Sequence, residues 1–210
     1  MGRARDISKV FSTSTALATD TEVSTTYQTK ATAGLTLLTP GSITNTGGTA
    51  SIGANGTVTF SGVASQSFNN VFSATYDNYK VFFSGNASTS TGIELRLRVG
   101  GVDNSAASAY LRQYLRAENT TVSGGRTTSN ILRIGQSEST LRSSFELTIY
   151  NPFAATVTPM NSLVTLSESS AMIFDINSAV HNVASSFDGF TLIPVSGTIT
   201  GSISIYGMNK

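Results

Sequence analysis

Short runs in which apolar and polar residues alternate cover most of this chain, and such alternation is typical of β-strands with one buried face. The clearest run spans residues 93–99, where four apolar side chains alternate with Glu94, Arg96 and Arg98. Residues 145–149 repeat the pattern. Further strands are predicted over residues 35–37, 58–60, 79–84, 163–166, 173–176, 190–193 and 199–206.

Three segments carry more local detail. Asn55-Gly56 precedes a predicted strand and favours a tight hairpin turn. Residues 79–84, with KVFF at their centre, form a nearly continuous apolar run, which predicts a strand buried on both faces. Gly201 interrupts the last strand and predicts a β-bulge.

The segment 106–118 is compatible with two structures. Tyr110, Leu111, Tyr114 and Leu115 have helical spacing, but the same residues also fit a strand with a bulge. We favour the strand, because a lone helix would be the exception in a chain whose other elements are all strands.

Roughly ten short strands separated by turn-forming residues, with no helical interludes, indicate an all-β fold. We therefore predict a β-sandwich or jelly-roll-like display domain over residues 34–210. No repeat of fixed period is evident in the sequence, which argues against a solenoid or a propeller.

Residues 1–33 differ from the rest and are predicted to form an extended N-terminal anchoring arm. They are mostly polar and contain too few apolar residues to close a core, so the arm should become ordered on a partner. Thr19 and Glu22 have the spacing of a helix capping box, although extended chain is an equal alternative. The predicted anchoring residues are Arg3, Arg5, Ile7, Val10 and Phe11.

Bulk composition narrows the function classes. The net charge is +1, which gives no electrostatic case for nucleic acid binding, and only 12% of the residues are charged, against about 25% in ordinary domains. The chain has no cysteine, so disulfides and thiolate metal sites are excluded. No apolar stretch is long enough to span a membrane, and no apolar signal segment follows the first arginines.

The titratable residues do not form a recognisable catalytic set. His181 is the single histidine, and we predict a structural or interface role for it, not catalysis. Glu94 and Glu146 occupy outward strand positions, where solvation or a cross-strand ion pair with Arg96 or Arg98 is expected. We therefore predict no catalytic residues, no cofactor and no metal site, and the protein is expected not to be an enzyme.

Two further groups of residues have alternative interpretations. Asp77-Asn78 and Asp103-Asn104 are turn formers first, with calcium binding as the alternative, since oxygen ligands at loop tips are typical of such sites. Tyrosines in strands and at their ends either pack in the core or stack on sugars at a rim. The tyrosines considered are Tyr76, Tyr79, Tyr110 and Tyr114.

Several stretches resemble structural proteins of tailed phages, particularly phages of marine hosts such as cyanobacteria. The arm RARDISKVFSTSTALATDTEV is similar to the N-termini of their fibre-like proteins. The stretches GLTLLTPGSITNTGGTASIGANGTVTFSGV, TYDNYKVFF and GTITGSISIYGMNK look like a β domain common in such virion proteins. The resemblance implies a virion component, often trimeric, that attaches through its N-terminus and displays its C-terminal domain.

Together these observations predict a non-enzymatic virion surface protein, made in the host cytoplasm without a signal peptide. The arm would dock on a capsid or tail protein, and the trimeric display domain would serve as a fibre or tail appendage in host adsorption. Two alternatives remain: a capsid decoration (cement) protein, and a module that binds host surface glycans. A hydrolytic depolymerase is disfavoured, because it would need two carboxylates facing one cleft.

Overall fold

The computed structural model describes residues 34–167 and 172–209, which contain sixteen β-strands and no helix. The strands are β1 (Leu35–Leu38), β2 (Ser42–Thr46), β3 (Thr49–Ile52), β4 (Val58–Val63), β5 (Ser65–Asn69), β6 (Asn78–Ala87), β7 (Thr91–Val99), β8 (Val102–Asp103), β9 (Tyr110–Glu118), β10 (Thr121–Ser129), β11 (Leu132–Ser137), β12 (Ser143–Tyr150), β13 (Thr156–Ser167), β14 (Met172–Ser185), β15 (Gly189–Pro194) and β16 (Ile199–Met208). The all-β prediction is confirmed.

The arm predicted over residues 1–33 lies outside the described residues. So do its proposed anchoring residues and the capping box of Thr19 and Glu22.

The strands form two antiparallel sheets packed as a sandwich, which confirms the predicted architecture. Sheet A has the order β10-β9-β14-β13-β12-β6-β16-β4-β3, and β1 also pairs with β16. Sheet B has the order β11-β7-β15-β5-β2, and β8 also pairs with β7. The edge strand of sheet B, β11, lies against β12, β13, β14 and β9 of sheet A.

The core is built from inward side chains of both sheets. Phe68 and Phe190 on neighbouring strands of sheet B stack with ring centroids 4.8 Å apart. Phe72 lies 5.9 Å from the Phe190 ring and 4.6 Å from the ring of Tyr79, which belongs to sheet A. Because aromatic pairs of this geometry add about 0.5–1.5 kcal/mol each beyond burial, this chain of rings stabilises the contact between the sheets.

The alternation predicted for residues 93–99 is confirmed in β7 as far as Leu97. Ile93, Leu95 and Leu97 are fully buried, but at the end of the strand Arg98 is buried and Val99 is exposed, the reverse of the prediction. The prediction that residues 79–84 are buried on both faces is wrong. In β6 buried and more accessible residues alternate, and Phe82 is 37% exposed, because only one face of sheet A is covered by sheet B.

The predicted turn is confirmed, whereas the bulge predicted at Gly201 lies in the partner strand. Asn55 and Gly56 lie in the turn between β3 and β4, and Gly56 has φ +89°, in the region that favours glycine. From Ile199 to Gly201 the partner in β4 moves by three residues, from Val63 to Phe60, so the extra residue of the bulge is in β4, where Gly62 has φ +64°. A Cβ at Gly201 would meet the backbone of Ser84, so the close approach of the strands requires glycine there.

Residues 110–118 of the ambiguous segment form the strand β9 that we favoured, and its continuous pairing excludes both the helix and the bulge there. On one side of β9, all nine residues from Tyr110 to Glu118 have partners in β10. On its other side β9 pairs with β14 in an equally continuous register.

The strands β9 and β14 carry their charged residues inward and most of their large apolar residues outward. The inward residues of β9 and β14 are Tyr110, Arg112, Tyr114, Arg116, Glu118, Ile173, Asp175, Asn177, Ala179 and His181. The outward residues are Leu111, Gln113, Leu115, Ala117, Met172, Phe174, Ile176, Ser178 and Val180. This inversion creates a polar inner surface near the open edge of the sandwich.

Candidate functional site

A groove lies where sheet A extends past the edge strand of sheet B. Its accessible volume is about 280 Å³, and β9, β10, β11 and β14 contribute its walls. We call it the arginine groove, and it is lined by Arg112, Tyr114, Arg116, Ser123, Thr127, Arg133 and Asp175.

The cross-strand register brings most of these residues together. Arg116 of β9 pairs with Ser123 of β10 on one side and with Asp175 of β14 on the other. Arg112 lies four residues before Arg116 on the same face of β9, and it pairs with Thr127. Because residues two apart on a strand share a face, β9 alone supplies Arg112, Tyr114 and Arg116 to the groove.

Two of the arginines are held by one amide oxygen. Arg116 Nη1 donates to Gln136 Oε1 at 2.8 Å, and Arg133 Nη2 donates to the same oxygen at 3.1 Å. Arg116 also forms an ion pair with Glu118, whose Oε2 lies 2.9 Å from Nη2. These contacts fix the directions in which both guanidinium groups present their remaining donors.

The third guanidinium, that of Arg112, is anchored to the sandwich interior. Arg112 Nε donates to Asn177 Oδ1 at 2.6 Å, and Asn177 Nδ2 donates to Ser162 Oγ at 3.0 Å. Ser162 Oγ in turn donates to the carbonyl oxygen of Ile134 at 2.7 Å, which crosses from sheet A to sheet B. A buried network of this kind positions a side chain as well as stabilising the fold.

Tyr114 lies between an arginine and a glycine. The Arg112 guanidinium carbon is 4.3 Å from the centre of the Tyr114 ring, a cation–π distance. On β10, a Cβ at Gly125 would come within 3.0 Å of ring atoms of Tyr114. The glycine therefore leaves the space that the tyrosine ring occupies, which gives Gly125 a role that its position in the sequence did not reveal.

The groove holds like charges close to one another. Burial lowers the pKa of Arg112 below its usual value, and the nearby charge of Arg133 lowers it further, while Asp175 opposes the shift. Burial likewise raises the pKa of Glu94, against the effect of Arg133 and two further arginines. Like charges that are held close together are relieved by a bound anion.

Asp175 is the only carboxylate that lines the groove. It is 3% exposed, and its Oδ1 has no hydrogen-bond partner among the described residues. Three arginines and one aspartate line the groove, while two carboxylates beside it, Glu118 at Arg116 and Glu94 near Arg133, offset part of the positive charge. Forked guanidinium donors suit carboxylate and sulfate groups, and serine, threonine and tyrosine hydroxyls suit polyols.

The residues singled out from the sequence lie in different parts of the structure. His181 is fully buried and lies edge-on to the rings of Tyr110 and Phe187, with centroids 4.8 and 4.9 Å away. This is the structural role predicted for it. Burial lowers the pKa of His181, and its Nδ1 and Nε2 lie 3.1 and 3.2 Å from Val183 O and Asn104 Oδ1.

Three of the four tyrosines pack in or against the core, which is one of the two roles considered for them. Tyr79 and Tyr110 are buried in the core, with hydroxyls bonded to the backbone, and Tyr76 packs partly buried against the core. Tyr114 alone among them lines the groove.

The expected ion-pair partners were wrong. Glu146 pairs with Lys80, at 3.4 Å, because Lys80 projects from the outer face of the adjacent strand β6. Arg98 instead pairs with Asp103, at 3.6 Å.

The two candidate calcium turns are tied into the protein itself. Asp103 Oδ1 accepts a hydrogen bond from Thr191 Oγ1 at 2.6 Å, and the backbone oxygen of Asp77 accepts one from the amide of Asn151. Over residues 34–167 and 172–209, no group of three or more His, Asp or Glu side chains is arranged to hold a metal ion.

No protein family and no curated protein matches the sequence. Among solved structures, the SPRY domain of human HERC1 is similar at 9% identity, with 77% of this chain and 94% of that chain covered and a TM-score of 0.33. The laminarinase catalytic domain from Thermotoga maritima gives 12% identity, 79% and 76% coverage and a TM-score of 0.24. A CBM4 structure gives 11% identity, 74% and 79% coverage and a TM-score of 0.21.

The groove was not apparent from the sequence. Arg112, Tyr114 and Arg116 alternate with Leu111, Gln113 and Leu115, a period-two signal that was present but was weighed against helical spacing. Arg133 and Asp175 carry no local signal, because only the packing of β11 and β14 beside β9 brings them to the groove.

In the described part of the chain, no helix is long and apolar enough to cross a bilayer.

Proposed function

We propose that this chain is a non-enzymatic surface protein of a phage particle and that its β-sandwich binds an acidic glycan of the host surface. The N-terminal arm would attach the protein to a capsid or tail protein, and trimers would display the sandwich for host adsorption. The observation that carries the glycan-binding part is the convergence of three guanidinium groups and one tyrosine on an open groove.

The chemistry of the groove favours a sugar that bears a carboxylate or a sulfate. Arg112 and Arg133 repel each other, so an anionic substituent between them would lower the energy of both. Guanidinium groups bind such substituents through paired N–H donors. Tyr114, Ser123 and Thr127 supply hydroxyls for the polar edge of a sugar.

The volume of the groove fits a small part of a polymer. About 280 Å³ suffices for one or two sugar residues, and an accessible groove leaves room for a chain to continue on either side. Weak binding at one site is compatible with adsorption, because several copies on one particle act together.

Binding to glycans tests the groove directly. The full-length chain is applied to an array that contains acidic and neutral polysaccharides, and the hits are measured by calorimetry. We expect acidic hits whose affinity falls at raised salt concentration, since exposed charge pairs are screened. Tyr114→Ala and Arg133→Met should each weaken binding about tenfold, the effect of losing roughly 1.4 kcal/mol.

Arg142→Met is the matched control. Arg142 donates to Ser84 Oγ, is exposed, and does not line the groove. Its substitution should leave the affinity unchanged. Binding confined to neutral glycans, or an equal loss in the control, would contradict the proposed ligand.

Attachment through the arm has its own test. Phage particles are assembled with a chain that lacks residues 2–30, and the protein content of purified particles is measured. We expect the truncated chain to be absent from particles. Normal incorporation of the truncated chain would show that another surface attaches it.

The non-enzymatic assignment is tested separately. Breakdown of a bound polysaccharide into shorter products would contradict it.

A further inference from the structure

The outer side of sheet A carries a cluster of exposed apolar side chains at its β10 end. We call it the outer apolar face and define it by five residues of β9, β10 and β14. Their exposed fractions are 67% for Val122, 63% for Met172, 53% for Leu115, 44% for Ile176 and 43% for Phe174. These are large side chains in regular strands, not in loops.

The cross-strand register makes this cluster continuous. Phe174 pairs with Ala117, which pairs with Val122, so these three form one row across β14, β9 and β10. In the next row Ile176 pairs with Leu115. Because neighbouring strands lie about 4.8 Å apart, directly paired side chains on one face touch each other.

The outer apolar face lacks the charges that exposed sheets ordinarily carry. The nine outward positions of β9 and β14 from Leu111 to Ala117 and from Met172 to Val180 include no Lys, Arg, Asp or Glu. Proteins usually place charges on exposed strands because these prevent association. Serine and threonine are abundant in this chain, so polar residues were available for these positions.

We propose that the outer apolar face is covered by a second copy of this chain. A side chain of this kind exposes roughly 150–200 Å² when fully accessible, so the five residues together leave roughly 400–500 Å² of apolar surface uncovered. An equal area on the second copy brings the total close to the roughly 1,000 Å² that a specific interface requires. Flat sheet faces pack well on one another at a separation of about 10 Å.

The charge around this face favours a copy of the chain over a membrane. Membrane-surface binding relies on basic side chains around the apolar residues, whereas the outward side chains of β9 and β14 include none, and β10 contributes only Arg126. An uncharged β-sheet face is complementary to itself.

The position of the face also leaves the arginine groove accessible. Side chains at successive strand positions point to opposite sides, so Leu115 lies on the outer face while Tyr114 and Arg116 line the groove. Two associated copies would therefore present two open grooves. The inference does not depend on what the groove binds, and its test requires no glycan.

The mass of the full-length protein in solution tests this inference. Sedimentation or light scattering should give a multiple of the 21.9 kDa chain mass. Ile176→Glu and Leu115→Glu place a charge in the contact and should reduce the species to 21.9 kDa. Val195→Glu is the matched control, because Val195 is equally exposed, at 58%, but lies between β15 and β16.

A second measurement avoids a charged substitution. The chain has no cysteine, so Ser178→Cys introduces a single thiol beside Ile176 on the outward side of β14. A short bismaleimide should link two copies through this thiol, and Val195→Cys should not be linked. A monomeric wild-type protein, as expected if the arm or another molecule covers the face, overturns the inference. So does a mass that the glutamate variants leave unchanged, or equal cross-linking of the control.

Discussion

Acidification is expected to destabilise this protein through one side chain, His181. It is the only histidine in the sequence and is fully buried. Burial lowers its pKa in the folded state, and the aromatic rings of Tyr110 and Phe187 flank it without supplying a negative charge. Protonation would therefore place an uncompensated cation in the core, which is unfavourable.

The sign and the size of the effect follow from proton linkage. The unfolded chain binds a proton at the ordinary histidine pKa of about 6.5, whereas folded His181 binds it only at lower pH. The contribution of neutral His181 to the free energy of unfolding is therefore complete above about pH 6.5, and it falls as the pH drops below that value. About one pH unit lower the loss is at most about 1.4 kcal/mol, the limit reached when folded His181 is still neutral. For a chain of this length that limit corresponds to a fall in Tm of about 3–6 °C.

Thermal unfolding followed by circular dichroism between about pH 8 and about pH 5.5 measures this loss. His181→Gln should have a lower Tm at pH 8, because the aromatic contacts are lost, and a flatter pH profile. Glu94 acts in the opposite direction: its raised folded pKa adds stability as the pH falls through it, so the comparison stays above the carboxyl range. A wild-type Tm independent of pH, or the same slope in His181→Gln, would refute the reasoning.

Three further predictions concern the ion pairs and the glycines. Asp103→Ala should lower the free energy of unfolding, measured by urea denaturation, by about 3 kcal/mol, because it leaves the buried Arg98 guanidinium without its carboxylate. Glu146→Ala, at the more exposed pair with Lys80, should lower it by less than about 1 kcal/mol, and equal effects would contradict the role of burial. Gly189→Ala should cost at least about 2 kcal/mol by the same assay, because the new Cβ would overlap the Phe68 carbonyl oxygen on the neighbouring strand, and a neutral result would mean that β5 and β15 are not so close. Gly125→Ala should leave the stability within about 1 kcal/mol but weaken binding at the arginine groove by displacing Tyr114, and calorimetry that finds unchanged affinity would show that the tyrosine position is unimportant.

Alternation in the sequence determined most of the strands, because each residue's neighbours on a strand point to the opposite face. In β7 and β12 this signal was unambiguous, since Ile93 and Leu95, like Phe145 and Leu147, are buried while the residues between them are not fully so. The turn at Asn55-Gly56 was equally local, because it depends on the positive φ that glycine permits in the backbone.

Alternation does not determine which face is covered, and this is where the sequence-based predictions failed. Residues 79–84 were expected to be buried on both faces, but Phe82 lies on the side of sheet A away from sheet B. In β9 and β14 most large apolar residues point outward and the charged residues inward, the reverse of the usual arrangement. A period of two identifies a strand equally well in either orientation.

The sequence by itself therefore determined an all-β chain, ten of the sixteen described strands and the turn at Asn55-Gly56, since these depend on neighbours within a few residues. The strands that it did not predict are β2, β3, β5, β8, β10 and β11. Only the tertiary structure decided where polar groups meet. Arg116, Arg133 and Asp175 are far apart in the chain and line one groove because β11 and β14 both pack beside β9. The pairing of distant strands depends on how two whole sheets cover each other, which no local pattern encodes.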